Sequence, residues 1–247
     1  MLAIIGGSGL SRLDSLEVSH RQLPETPYGE PSAALTFGRI AGRPAVFLAR
    51  HGDEHRIPPH QVNYRANVWA IAGCAPAGIV AVAAVGSIRA DLEPGDLVIP
   101  HQIIDYTWGR ESTYHEWPER PVAHVDFTQP YDQRLRSRIS QVAATLGLAV
   151  SDSAVYAATQ GPRLETAAEI DRLEREGADV VGMTGMPEAA LARELALPYA
   201  AINVVANRAA GRGGSRQAIR IDDIHAVLDA AMGRVRAIIE ALVTGDD

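Results

Sequence analysis

Residues 78–85, GIVAVAAV, form an unbroken apolar run. A strand wetted on one face alternates apolar and polar side chains, whereas one covered on both faces has no reason to alternate. This segment therefore reads as a strand buried on both faces. Residues 2–5 and 199–205 give two more buried strands, and 33–38, 44–49, 97–99, 153–157 and 179–181 are β-like. Helical patterns fall at 63–72, 131–146, 165–175, 187–195 and 222–242, with Pro187 starting one and Asp222 expected as an N-cap. Strands and helices alternate without repeats or linkers. The expectation is one α/β domain, residues 1–247, with a mixed central sheet flanked by helices. Residues 101–127, with Trp108, Tyr114 and Trp117, read as a long loop, and such loops are usually functional or docked on a partner.

Composition narrows the chemistry. All 23 basic residues are arginine. Without lysine there is no Schiff base, no Walker-A loop and no protein-kinase site. Cys74 is the only cysteine, which excludes an intrachain disulfide and a cysteine-built zinc site. The start MLAIIGGSGL lacks the basic and long apolar regions of a signal peptide. No apolar run reaches the length of about 18 residues that a membrane span needs. A net charge of −7 argues against nucleic acid as a partner. The expectation is a cytoplasmic protein, with any anionic substrate held by a local positive site.

The candidate chemistry sits at strand ends. IIGGSGL suggests a dinucleotide fingerprint, but starting the pattern at Gly7 puts Arg12 where the third glycine belongs. What remains is a glycine turn with Ser8 at its apex, either an ordinary tight turn or a small-anion site. LARHGDEHRIPPH brings Arg50, His51, His55, Arg56 and His60 together after an apolar strand. Arginine offers a fork for phosphate oxygens and imidazole a further polar group. Zinc is disfavoured, because Gly52 and Pro58–Pro59 oppose the helix that His51 and His55 would need. Gly86 ends the most buried run and permits close approach of a flat ligand. Met183 and Thr184 follow another strand, Met183 either as core or against a sugar or base. Asn207 ends a third and can donate and accept at once. The sequence shows no nucleophile elbow, no paired-carboxylate logic and no metal cluster. The arrangement points to anion positioning beside a heterocycle.

These segments in this order resemble the purine nucleoside phosphorylase family, specifically its methylthioadenosine phosphorylase branch. The matching pieces are IIGGSGL, LARHG, VNYRANVWA, VGSIRADLEPGDLVIP, QGPRLET and MTGMPEAALARE. The resemblance implies an α/β nucleoside phosphorylase fold, a homotrimer, no metal and no organic cofactor, with inorganic phosphate as co-substrate attacking C1′ of a purine nucleoside. It implies phosphate-binding roles for Ser8, Arg50, His51, Thr184 and the backbone at Ala83 and Ala84. The family usually has Thr or Asn at position 83, so a polar side chain is missing there. Gly86 and Met183 match positions against base and ribose. His124, in the long loop, matches a side chain sent into the neighbouring subunit's site.

Two departures set the expected substrate. The adenine-specific branch carries aspartates where this chain has Asn207 and Ala209. An asparagine amide can donate to a 6-oxo group or N7 and accept from N1–H, and a mismatched base leaves a buried polar group unpaired. Glu165 can accept from N1–H of a 6-oxopurine, or is simply an acid at a helix N-terminus. At the 5′ end, Ile221 and Ile224 match positions lining a methylthio pocket, where a hydroxyl would lack a partner. The combination predicts 5′-methylthioinosine as substrate, with Asn207 as the catalytic residue stabilising charge on the departing purine. Inosine/guanosine phosphorylase, methylthioadenosine phosphorylase, a hydrolytic nucleosidase and a non-catalytic binding protein are the alternatives.

Overall fold

The computed structural model describes residues 1–116 and 123–245. Its centre is β5 (Gly78–Ser87), the ten-residue strand announced by the apolar run. Among the described residues nine further strands join it: β1 (Leu2–Gly6), β2 (Glu17–Gln22), β3 (Leu35–Ile40), β4 (Arg43–Ala49), β6 (Leu97–Val98), β7 (Gln102–Asp105), β8 (Val155–Ala158), β9 (Val180–Gly182) and β10 (Tyr199–Arg208). They form one mixed sheet of order β2-β3-β4-β1-β5-β9-β8-β7, with β10 pairing both β5 and β6. Five α-helices flank it among the described residues: α1 (Tyr64–Ala72), α2 (Gln133–Thr145), α3 (Ala167–Arg175), α4 (Gly185–Glu194) and α5 (Ile221–Thr244). This is the expected α/β architecture. No helix among the described residues is long and apolar enough to cross a membrane.

Double coverage of β5 follows from its neighbours. Val80 and Val82 have no exposed surface, and neither do Ile202, Val204, Val235 and Ile239 on β10 and α5. One cluster gathers these residues with β1 and β4. Burying such side chains contributes roughly 1.5–3 kcal/mol each.

One irregularity in the sheet positions the site. β10 pairs with β5 in parallel from Ile79 to Ser87 along one edge. On the other edge, parallel β1 stops opposite Ala81 and antiparallel β9 begins opposite Gly86. Residues 82–85 have no strand opposite them on that edge, so the ladder is open there.

Three local expectations are corrected, and one strand has no counterpart in the sequence reading. Residues 101–127 are not all loop: β7 forms and pairs in parallel with β8, and its half-buried QIID pattern is too short to stand out. Trp117 lies outside the described residues. β2 is a fully exposed edge strand, EVSHRQ, with no apolar face to betray it. Glu165 precedes α3, which Thr166 caps through a capping box with Glu169. α5 begins one residue before Asp222, with Arg220 at the N-cap and no side-chain cap bond, so Asp222 sits in the first turn rather than capping it.

Candidate active site

A cleft of about 350 Å³ opens over the gap in the ladder. Ser8, Arg50, His51, Ala83, Ala84, Gly86, Glu165, Met183, Thr184, Asn207, Ala209 and Ile224 all line it. Chain ends of β1, β4, β5, β9 and β10 thus deliver their residues to one place, as open α/β sheets do where strand direction switches.

The anion end is built on close packing. β1 runs into the Gly7–Ser8 turn, and a Cβ on Gly7 would come within 2.6 Å of both Arg50 Nη1 and the Val82 carbonyl oxygen. Only glycine lets this turn approach so closely. Arg50 is 1% exposed. Its Nε and Nη2 donate to the two carboxylate oxygens of Glu188 at 2.7 and 2.8 Å, and Nη1 donates to Val82 O at 2.9 Å. Tyr199 donates its hydroxyl to Glu188 at 2.8 Å. Burial works against the Arg50 charge, but Glu188 more than restores it and holds the guanidinium firmly protonated. The fork is therefore locked, with one remaining N–H on each terminal nitrogen. Because Val82 turns its carbonyl into the gap, strand alternation aims the N–H of Ala84 at the same edge, with no strand opposite.

His51 completes this end. Its Nδ1 lies 2.8 Å from the Ile57 carbonyl oxygen. Burial and the adjacent Arg50 push its pKa down to about 4, so it is a neutral imidazole at neutral pH. The His55 ring lies 4.5 Å from it, tilted by 47°, and Ser8 Oγ lies 3.4 Å from His55 Nε2. Burial and Arg50 lower the pKa of His55 too, with His225 a further cause. Opposite them, Thr184 stands at the start of α4 with its hydroxyl free of any capping bond. Its N–H meets the Tyr156 hydroxyl at 3.3 Å. Gly182 makes room for that tyrosine, since a Cβ there would fall 2.2 Å from the phenol oxygen.

At the other end, Asn207 Nδ2 donates to the Arg208 carbonyl at 2.6 Å, which leaves the amide oxygen and one N–H. Glu165 accepts from Thr159 Oγ1 at 2.6 Å through Oε1, which leaves Oε2 as an acceptor. Gly86, Ala209 and Val181 are small or flat walls between them, and Ile219 and Ile224 close an apolar side.

Two residues named from the sequence lie elsewhere. Ile221 is 53% exposed at the first turn of α5 and does not reach the cleft; Ile219 takes the wall position instead. The path of the segment before α5 decides which isoleucine turns inward, and no periodicity encodes it. His124 is exposed and does not line the cleft of its own chain.

Sequence reasoning missed Glu188 and Arg110. An acid inside the apolar stretch MPEAALA was the available signal for Glu188, which is wholly buried. Arg110 comes from the long loop and donates to the carbonyls of Met183, Met186 and Gln160 at 2.8, 2.6 and 2.8 Å. It ties the 159–160 segment to the 183–186 segment, which accounts for that part of the loop being docked. Among the described residues, no group of three or more His, Cys, Asp or Glu side chains is placed to hold a metal.

A gap in a mixed sheet, an arginine fork, a strand N–H aimed into the gap and, at the other end, an amide and a carboxylate are groups able to hold an anion next to a heterocycle. The sequence matches the Phosphorylase superfamily over residues 1–244, and the chain belongs to that family. It is 50% identical over 242 residues to a Pseudomonas syringae pv. tomato protein named probable S-methyl-5'-thioinosine phosphorylase, covering 98% of each chain. It is 46% identical over 220 residues to the 6-oxopurine nucleoside phosphorylase of Pyrococcus furiosus, covering 87% of this chain and 82% of that one. Among solved structures, the methylthioadenosine phosphorylase of Schistosoma mansoni in complex with adenine superposes with a TM-score of 0.93 at 32% identity, covering 98% of this chain and 90% of that one. The chain is an enzyme of the nucleoside phosphorylase type, a pentosyltransferase.

Proposed function

We propose that this enzyme cleaves S-methyl-5'-thioinosine with inorganic phosphate, releasing hypoxanthine and 5-methylthioribose 1-phosphate. The observation that carries this reading is that Asn207 and Glu165 face the cleft whose far end holds Arg50, Thr184 and the Ala84 N–H. The names of several relatives, including the Pseudomonas one, support the same substrate.

In this reading, phosphate lies over the gap in the sheet. It is held by Arg50, Ser8, Thr184 and the backbone at Ala83–Ala84, with His51 at its side. Gly86 and Met183 flank base and ribose. Asn207 donates to the purine and Glu165 accepts from N1–H, while Ala209 leaves room where a second acid would favour adenine. Ile219 and Ile224 receive the methylthio group. Phosphate attacks C1′ as the bond to N9 weakens, and the transition state carries positive charge on the sugar and negative charge on the base. Asn207 stabilises the latter, so catalysis is positioning and electrostatics with no covalent enzyme intermediate. No cofactor takes part. Residues 1–247 act as a single domain, in a homotrimer to which each subunit lends His124.

The test is base release from methylthioinosine, methylthioadenosine, inosine and adenosine, with and without phosphate. Methylthioinosine should give the highest kcat/KM, and only with phosphate present. Release without phosphate would make the enzyme a hydrolase. The 46% identity to a 6-oxopurine nucleoside phosphorylase favours inosine or guanosine as the second reading, and equal kcat/KM for inosine and methylthioinosine would establish it.

A further inference from the structure

His51 meets the anion end of the cleft with an unusual face. Nδ1 is 2.8 Å from the Ile57 carbonyl oxygen, which can only accept, so Nδ1 carries the proton. Nε2 has no protein partner among the described residues, and the ring lines the cleft. The groups facing it all resist a second proton. Arg50 is permanently charged beside it, His55 is in ring contact, Arg56 stands on the same wall, and His225 of α5 acts on His55. The carboxylate on the neighbouring guanidinium, Glu188, is already committed to Arg50 and Tyr199. Nε2 is therefore a bare lone pair with no hydrogen to give, at an end of the cleft where the side chains of Arg50, Ser8 and Thr184 can all donate.

We propose that His51 reads the proton on phosphate: the site takes tetrahedral oxyanions that carry at least one O–H, which they donate to His51 Nε2, and discriminates against those that carry none. The inference rests on the phosphorolysis reading and specifies the form of its co-substrate. Inorganic phosphate and arsenate at neutral pH satisfy the site; sulfate, equal in shape, would set an oxygen lone pair against a nitrogen lone pair. The chemistry balances. An unprotonated oxygen of phosphate forms the bond to C1′ as the C1′–N9 bond breaks, and the bonding pair leaves with the purine, which takes a proton from solvent. The proton held at His51 stays on the product's phosphoryl group until release.

Calorimetric titration of the full chain with phosphate and with sulfate tests this without turnover. An unmatched pair of buried acceptors predicts phosphate binding about ten- to a hundredfold tighter than sulfate. In His51→Gln the terminal amide offers an N–H at the Nε2 position, and the ratio should fall to within about threefold, chiefly through tighter sulfate. Sulfate and phosphate binding equally to the wild type would overturn the proposal while leaving phosphorolysis intact. Base release that ignores phosphate altogether would instead overturn phosphorolysis, and the proposal with it.

Discussion

Arg50 and Glu188, 138 residues apart in sequence, form a two-pronged ion pair with both partners essentially without solvent exposure. A buried pair of this kind is poor evidence of net stability, because desolvation offsets much of the attraction. Its consequence is geometric: the guanidinium is held at Nε and Nη2 by Glu188 and at Nη1 by the Val82 carbonyl, so the arginine cannot swing.

Removing one partner exposes that dependence. Glu188→Ala leaves an uncompensated buried cation and should destabilise the fold by about 3–5 kcal/mol, read as a lower urea midpoint. Glu188→Gln keeps one acceptor and should fold better, while still raising the KM for phosphate more than it lowers kcat. Unchanged phosphate KM in the glutamine variant would show that Arg50 does not hold the anion.

Base choice should turn on one atom. Asn207→Asp replaces the amide donor by an acceptor and should lower the preference of methylthioinosine over methylthioadenosine by about 100-fold in kcat/KM. A preference unmoved by this substitution would place base recognition elsewhere.

The apolar end separates two isoleucines. Ile224→Ala removes three side-chain carbons and should reduce kcat/KM for methylthioinosine by at least about tenfold relative to inosine, since even one lost methylene is worth that much in a pocket. Ile221→Ala should change neither by more than about twofold, because the side chain is exposed. Equal losses in both variants would mean that the segment before α5 rearranges around substrate.

Stability should also depend on pH through His51. Its pKa falls from 6.5 to about 4 on folding, mainly by burial. The unfolded chain binds the extra proton first, so the contribution is complete above pH 6.5 and is lost progressively as pH falls towards 4. The loss amounts to at most about 3 kcal/mol. His55 shifts in the same direction, so the comparison that isolates His51 is the slope of urea midpoint against pH in His51→Asn, which should be shallower than in the wild type.

What could be read from the sequence follows from where information is local. The apolar runs of β1, β5 and β10 announce buried strands, and the residues at their ends fall into one cleft because the topology brings those ends together. Glu188, Arg110 and Ile219 were illegible for a different reason. Their roles depend on partners from distant segments: β4 for Glu188, the 159–160 and 183–186 segments for Arg110, and the course of the chain before α5 for Ile219. The exposed β2 and half-buried β7 are held by backbone pairing to neighbours, a signal that leaves little mark on side-chain pattern.

The open stretch of ladder between β1 and β9 gives binding a mechanical meaning. A phosphate seated there would supply the acceptor that a further strand would otherwise bring to β5. The ligand then behaves as a missing piece of secondary structure, and occupancy should be felt as slower amide exchange along β5 and β10, well away from the anion itself. An enzyme assembled this way leaves its fold unfinished until its substrate arrives.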